Sequence, residues 1–315
     1  MQKDALDGFM ERCEKMAREM EVSDKLLQEV GDPISVDALM KKSFPEREWV
    51  WEGVLPRGEL AVLSGPKGSG KTLLALDIAL SASLGNPVLG IPTTRTSCAY
   101  LSLELGERIM HKRLRKTGFP LEGADCAFFW KWPFLPKGAE AIRAIIKRHK
   151  IEFVVIDVIA KIRDARTDWS DYGDAYSQLS PLREIAQDTN ATILFLTHSR
   201  KGETEDPSER ILGSVGLSGT TGVILSLTTR LNQKTGILEV AGNDVEYKKI
   251  PIELKTEPLR FVLSEADPQE QLLSPERKAV LETFKSLGGT ATTAEVSKAL
   301  GKDSNTVSFL LRRLA

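Results

Sequence analysis

The sequence predicts an α/β fold: a mostly parallel sheet flanked by helices, continued by antiparallel strands and followed by a small all-α, helix-turn-helix-like domain. Three observations predict it. Between Leu60 and Leu263, short apolar runs rich in β-branched residues alternate with stretches of helical length, as expected for strands buried on both faces and joined by crossover helices. After "GSVGLSGTTG" the runs are divided by short turns instead, which fits an antiparallel continuation. Beyond a polar, proline-containing stretch, residues 274–315 break into three short segments with helix start and stop signals.

Taken in chain order, residues 1–43 read as a helical, acidic segment broken at "GDP", a possible oligomerisation or partner arm. Residues 44–263 are the main domain, entered through "FPEREWVWEGVLPRGEL". Its expected parallel strands are "ELAVLSG", "SCAYLSLE", "AFFWKW", "IEFVVID" and "ATILFLTH". Between them lie the helical stretches "TLLALDIALSASLG", "ERIMHKRLRKTG", "GAEAIRAIIKRHK" and "SPLREIAQDTN", the last with Ser180 as N-cap and Pro181 in its first turn. "VILSLTTR", "ILEVAGN" and "EYKKIPIELK" supply the later strands, residues 264–273 a linker, and residues 274–315 the helical domain. There Ser274, Thr293 and Ser304 (or Asp303) suit N-caps, and Gly288 and Gly301 suit terminators.

Composition removes several classes of protein. No apolar stretch reaches the ~18 to 20 residues that span a bilayer, and "MQKDALDGFMERCEKM" has neither an apolar core nor a small-residue cleavage site. The widely spaced Cys13, Cys98 and Cys126 read as free thiols, and the cysteines and histidines have no zinc-ligand spacing. A cytoplasmic protein with no membrane partner is expected. Residues 274–315 carry a net positive charge, and "RIMHKRLRK" crowds cations into one helix, features that support a nucleic-acid partner.

The sharpest motif is "GPKGSGKT", Gly65-Pro66-Lys67-Gly68-Ser69-Gly70-Lys71-Thr72, set between the strand "LAVLS" and a helix. It matches the phosphate-loop pattern in the context the pattern requires. Its glycines let successive backbone N–H groups turn inward, and the following helix adds its positive end. Lys71 can then reach the β- and γ-phosphates of ATP, while the Thr72 hydroxyl can coordinate Mg²⁺. Asp157, which closes "FVVID", is the matching acid for the Mg²⁺ water shell. There is no Asn-Lys-x-Asp motif to support a GTPase.

Hydrolysis also needs a base, and the residue after Asp157 is Val158. Ligands of α/β sheets sit at the carboxyl ends of strands, which selects Glu104, at the end of "SCAYLSLE". A strand adjacent to the phosphate-loop strand would place it opposite the γ-phosphate. His198, at the end of "TILFLTH", is placed to touch both that phosphate and the loop that follows.

The order "GPKGSGKT", Glu104, "FVVID", "FLTHSRK" and "GS-GL-G" resembles the RecA-like ATPases, and within them the AAA-25 group and its RepA-type replicative helicases. The resemblance covers about residues 45–260. It implies a homohexameric ring with ATP at the subunit interfaces and single-stranded DNA in the central channel. It also implies that Glu104 polarises the attacking water and that His198 couples the nucleotide to DNA. The unpatterned segment 199–219 corresponds to channel-lining loops, with Arg200 and Lys201 as candidate phosphate contacts. Arg230 is the candidate trans-acting cation, with Lys248 and Lys249 as alternatives, because Asn243 stands where relatives often carry an arginine. The C-terminal helices resemble a winged helix-turn-helix with its wing absent or truncated. Ser304, Asn305, Thr306, Arg312 and Arg313 are its candidate contacts to duplex DNA. A primase or another replication protein is a possible further partner. The competing expectation is a non-unwinding, ATP-dependent DNA-binding or recombination regulator.

Overall fold

The computed structural model describes residue 15 and residues 33–164, 172–198, 219–230, 234–265 and 275–312. The chain divides into two compact units, Met1–Glu46 and Arg47–Ala315. In the first, the short helix α1 (Val36–Met40) is capped by the Ser35 side chain, which accepts from the Ala38 N–H. The rest of the expected N-terminal helical segment lies outside the described residues.

Among the described residues the second unit is built on a nine-stranded sheet. Its parallel strands are β3 (Leu60–Ser64), β4 (Cys98–Ser102), β5 (Cys126–Phe129), β6 (Phe153–Asp157), β7 (Thr192–Leu196) and β8 (Val223–Arg230). The antiparallel extension is β9 (Thr235–Gly242), β10 (Val245–Thr256) and β11 (Leu259–Leu263). Across the sheet the order is β11, β10, β9, β8, β3, β7, β6, β4, β5. The mostly parallel α/β architecture expected from the sequence is therefore present, with antiparallel pairing from β9 onward.

Side chains alternate between the two faces, as the strand period requires. Ala61 and Leu63 join the core formed with α2 (Lys71–Leu84), whereas Leu60 and Val62 join the core formed with α4 (Lys137–His149) and α5 (Tyr172–Thr189). The helix between β4 and β5, α3 (Glu107–Leu114), buries only Met110. Helix α2 buries twelve of its fourteen residues, so it is a core element enclosed on all sides rather than an amphipathic surface helix.

Several local expectations are corrected. "WVWEGVLP" forms a separate two-stranded sheet, β1 (Trp49–Trp51) with β2 (Leu55–Pro56), where a simple lead-in was expected. Strand β11 was not anticipated; it folds back on β10 with Leu254 opposite Phe261. Ser180 does not cap a helix, because α5 begins upstream at Tyr172 and runs through Pro181. The Ser180 hydroxyl instead donates to the Tyr176 carbonyl one turn back, a local bond open to a serine inside a helix.

The C-terminal segment forms α6 (Pro275–Ser286), α7 (Thr293–Leu300) and α8 (Ser304–Arg312) around Val280, Val296, Val307 and Leu310. The cap of α7 is Thr292 rather than Thr293: its side chain accepts from the Glu295 N–H, and Glu295 reaches back to the Thr292 N–H. That reciprocal pair is a capping box. Ser274 lies outside the described residues. No helix among the described residues is long and apolar enough to cross a membrane.

Candidate nucleotide site

Strand β3 ends at Ser64, and the chain turns through Gly65–Gly70 into α2. Only glycine fits two of these positions. A Cβ at Gly65 would stand 2.4 Å from the Leu227 carbonyl oxygen, and one at Gly70, whose φ is +92°, would stand 2.8 Å from the Phe261 ring. The loop is thus pressed against β8 and the unanticipated β11. Thr229 of β8 adds a hydroxyl bond of 3.0 Å to the Ser69 carbonyl. Pro66, Lys67 and Gly68 form the exposed crest, whereas Ser69 is buried and its hydroxyl has no partner among the described residues. An inward-facing orphan hydroxyl in an anion nest fits a phosphate oxygen.

The Lys71 ammonium is buried and donates to the carbonyls of Gly65 and Pro66, each at 2.9 Å, and to His198 Nδ1 at 3.1 Å. An ammonium cannot accept, so Nδ1 is the unprotonated nitrogen. Burial holds the His198 imidazolium below its usual range, and the positive charges of Lys71 and Lys67 act in the same direction. Burial also lowers Lys71, against the opposing pull of Asp157 and Glu104.

Asp157 closes β6 and is almost fully buried. Its Oδ1 accepts from Thr72 Oγ1 at 3.3 Å and its Oδ2 from the Tyr100 hydroxyl at 2.8 Å. Burial raises its carboxyl above the ordinary range, and these two bonds oppose the rise. Val158 packs into the hydrophobic core, so the position after Asp157 is structural.

Glu104 stands just past the end of β4, in a turn held by a 2.9 Å bond from Ser102 Oγ to the Leu105 carbonyl. The expectation that its strand adjoins the phosphate-loop strand is wrong. Strands β7 and β6 intervene, and β4 pairs instead with β6, with Ser102 opposite Asp157. This register levels the two strand ends, and the Leu103 N–H donates to the Asp157 carbonyl at 2.8 Å. Glu104 is exposed, yet its charge acts on Lys71, Asp157 and His198 together. One cluster therefore gathers the ends of β3, β6, β4 and β7.

A model of the AAA domain, AAA_25, matches residues 25–204. The chain belongs to the AAA_25 family. No curated protein matches it. The AAA_25 match spans the phosphate loop, Glu104, Asp157 and His198, and the family supports ATPase activity in general. AAA domains bind nucleotide, typically with Mg²⁺. The oxygen donors of Thr72 and Asp157 suit that hard cation. Among the described residues no group of three or more His, Cys, Asp and Glu could hold a metal. The fit is therefore to an ion held by one or two protein oxygens together with phosphates.

The remaining candidates are less concentrated. Arg230 ends β8, paired in register with Thr235 of β9. Of its alternatives, Lys248 donates to the Gly53 carbonyl at 3.4 Å, and Lys249 pairs with buried Glu239 at 3.5 Å. Arg200, Lys201 and Arg313 lie outside the described residues. Ser304, Asn305, Thr306 and Arg312 are exposed on α8. Asp303 is the residue that caps this helix: its carboxylate accepts from the Asn305 and Thr306 amides and from the Thr306 hydroxyl. A phosphate at that end of α8 would have to displace the carboxylate. Reading the sequence alone missed Tyr100, although a tyrosine within a fully buried run signals a hydroxyl that needs a partner.

Proposed function

We propose that this AAA_25 ATPase is a RecA-like DNA motor, a ring-forming replicative or mobile-element helicase or translocase. The observation that carries the reading is the placement of the acids on neighbouring strands: Asp157 ends β6, Glu104 follows β4, and Val158 is committed to the core. The metal acid and the base are then separate residues that face one phosphate loop.

In this reading the loop amides and Lys71 hold the phosphates of ATP. Thr72 and Asp157 would hold a Mg²⁺ ion, which would supply positive charge to the bound phosphates. Glu104 orients and polarises the water that attacks the γ-phosphate. His198 couples that event to the chain that follows it: when phosphate oxygens take over the Lys71 donors, the imidazole loses its 3.1 Å partner. Arg230 serves the neighbouring subunit's site in a hexamer, and Arg200 and Lys201 contact single-stranded DNA in the channel. The C-terminal helices add a second DNA contact through Ser304, Asn305, Thr306, Arg312 and Arg313, and a primase or similar replication protein joins the assembly.

The test is strand separation on a forked DNA duplex with ATP and Mg²⁺. Separation is expected for the wild type and not for Lys71→Ala, which lacks the phosphate cation. DNA-stimulated ATP turnover without strand separation would remove the helicase reading and leave a non-unwinding DNA-binding or recombination regulator.

A further inference from the structure

We propose that Tyr100 is a positioning residue for the magnesium acid: its buried hydroxyl fixes one oxygen of Asp157 and so aims the other at Thr72. The inference rests on the reading of this cluster as a magnesium–nucleotide site. Tyr100 lies in the middle of β4 with no exposed surface. Its hydroxyl sits 2.8 Å from Asp157 Oδ2 and 3.4 Å from the Thr72 carbonyl oxygen. A phenol has one hydrogen to donate, and the shorter, charged acceptor takes it. Thr72 Oγ1 then has Asp157 Oδ1 to itself. Each carboxylate oxygen is assigned to one neighbour, and the two proposed metal-side residues are held in mutual register before any ion arrives.

The ring is itself fixed. It stacks on Phe128 of β5 at 5.4 Å between centroids, and Phe128 stacks on Trp130 at 5.9 Å. This aromatic ladder runs from the edge strand to the carboxylate, so the hydroxyl cannot swing away without disturbing three rings. A phenylalanine would fill the same space and keep the same stacking. The hydroxyl therefore contributes to Asp157 and not to packing. Partners of this kind, one step removed from a metal, typically govern its affinity by about 10–100-fold.

Tyr100→Phe tests the assignment in a binding experiment without turnover. A fluorescent ADP analogue is titrated against the protein at increasing Mg²⁺, and again in EDTA. The Mg²⁺ midpoint should rise by roughly tenfold or more, while affinity in EDTA stays at the wild-type value. An unchanged midpoint overturns the inference and leaves the nucleotide site standing. A wild type that binds no nucleotide in either condition overturns the site reading itself. Should Tyr100→Phe fail to fold, the wild type labelled with 3-fluorotyrosine decides. Its four tyrosines are separated by replacing Tyr172, Tyr176 and Tyr247 in turn, and the remaining fluorine resonance, from Tyr100, should move when Mg²⁺ joins the nucleotide complex. A resonance indifferent to Mg²⁺ would contradict the role.

Discussion

Glu104→Gln retains ATP binding and loses hydrolysis, by about 10²-fold or more. Glutamine keeps the size of the side chain and one acceptor oxygen, but it cannot act as a base toward the attacking water. Binding survives because the contacts available to phosphates come from the loop between Ser64 and α2 and from Lys71, none of which Glu104 builds. The turn that carries residue 104 is shaped by Ser102 and the Leu105 carbonyl, so the exchange leaves the backbone in place. Equilibrium ATP binding and single-turnover phosphate release separate the two quantities. Near-normal release would show that the base lies elsewhere.

Arg260→Met destabilises the fold by roughly 3–5 kcal/mol at about pH 8, and by less at about pH 5. Arg260 of β11 donates to Asp77 of α2 at 2.9 Å, and its guanidinium lies 4.5 Å from the centre of the Phe119 ring. Asp77 is nearly inaccessible, and burial pushes its carboxyl up to about 6, against Arg260 and Ser81. An acid raised in this way stays protonated in the fold over a window, from its usual 3.8 to about 6, in which the unfolded chain has ionised. Wild-type stability therefore falls as pH rises through that window. Removing the arginine leaves at alkaline pH a buried carboxylate whose remaining neutral donor is the Ser81 hydroxyl at 3.5 Å, whereas below the raised value the group takes up a proton and loses most of the penalty. Thermal melts at the two pH values measure the difference, and equal depressions would mean that only the packing on Phe119 was lost. The contact bears on function because β11 also presses Phe261 against Gly70 of the phosphate loop.

What could be read from the sequence was what is local. "GPKGSGKT" is contiguous, and its loop, its lysine and the helix after it stand where the pattern puts them. The strands "FVVID" and "TILFL" were legible because a run buried on both faces has no polar alternation to confuse it. Strand order was not legible, since pairing is decided by contacts far apart in sequence. Glu104 could be placed at a strand end, but not beside Asp157, because that neighbourhood comes from the pairing of β4 with β6. The same long-range pairing hid Tyr100, whose partner Asp157 is fifty-seven residues away. Helix α5 was cut short because Pro181 reads as a helix start, while tertiary burial of Leu179, Leu182 and Ile185 carries the helix through it. Strand β11 escaped because its turn contains Pro258, a residue that argues against a strand when seen alone.

The most direct measurement is steady-state ATP turnover by the full chain in Mg²⁺, with and without single-stranded DNA. Turnover that rises when DNA is added is the result expected of a DNA motor whose nucleotide cluster, through His198, leads into the segment carrying Arg200 and Lys201. Turnover at the same rate with and without DNA would contradict it.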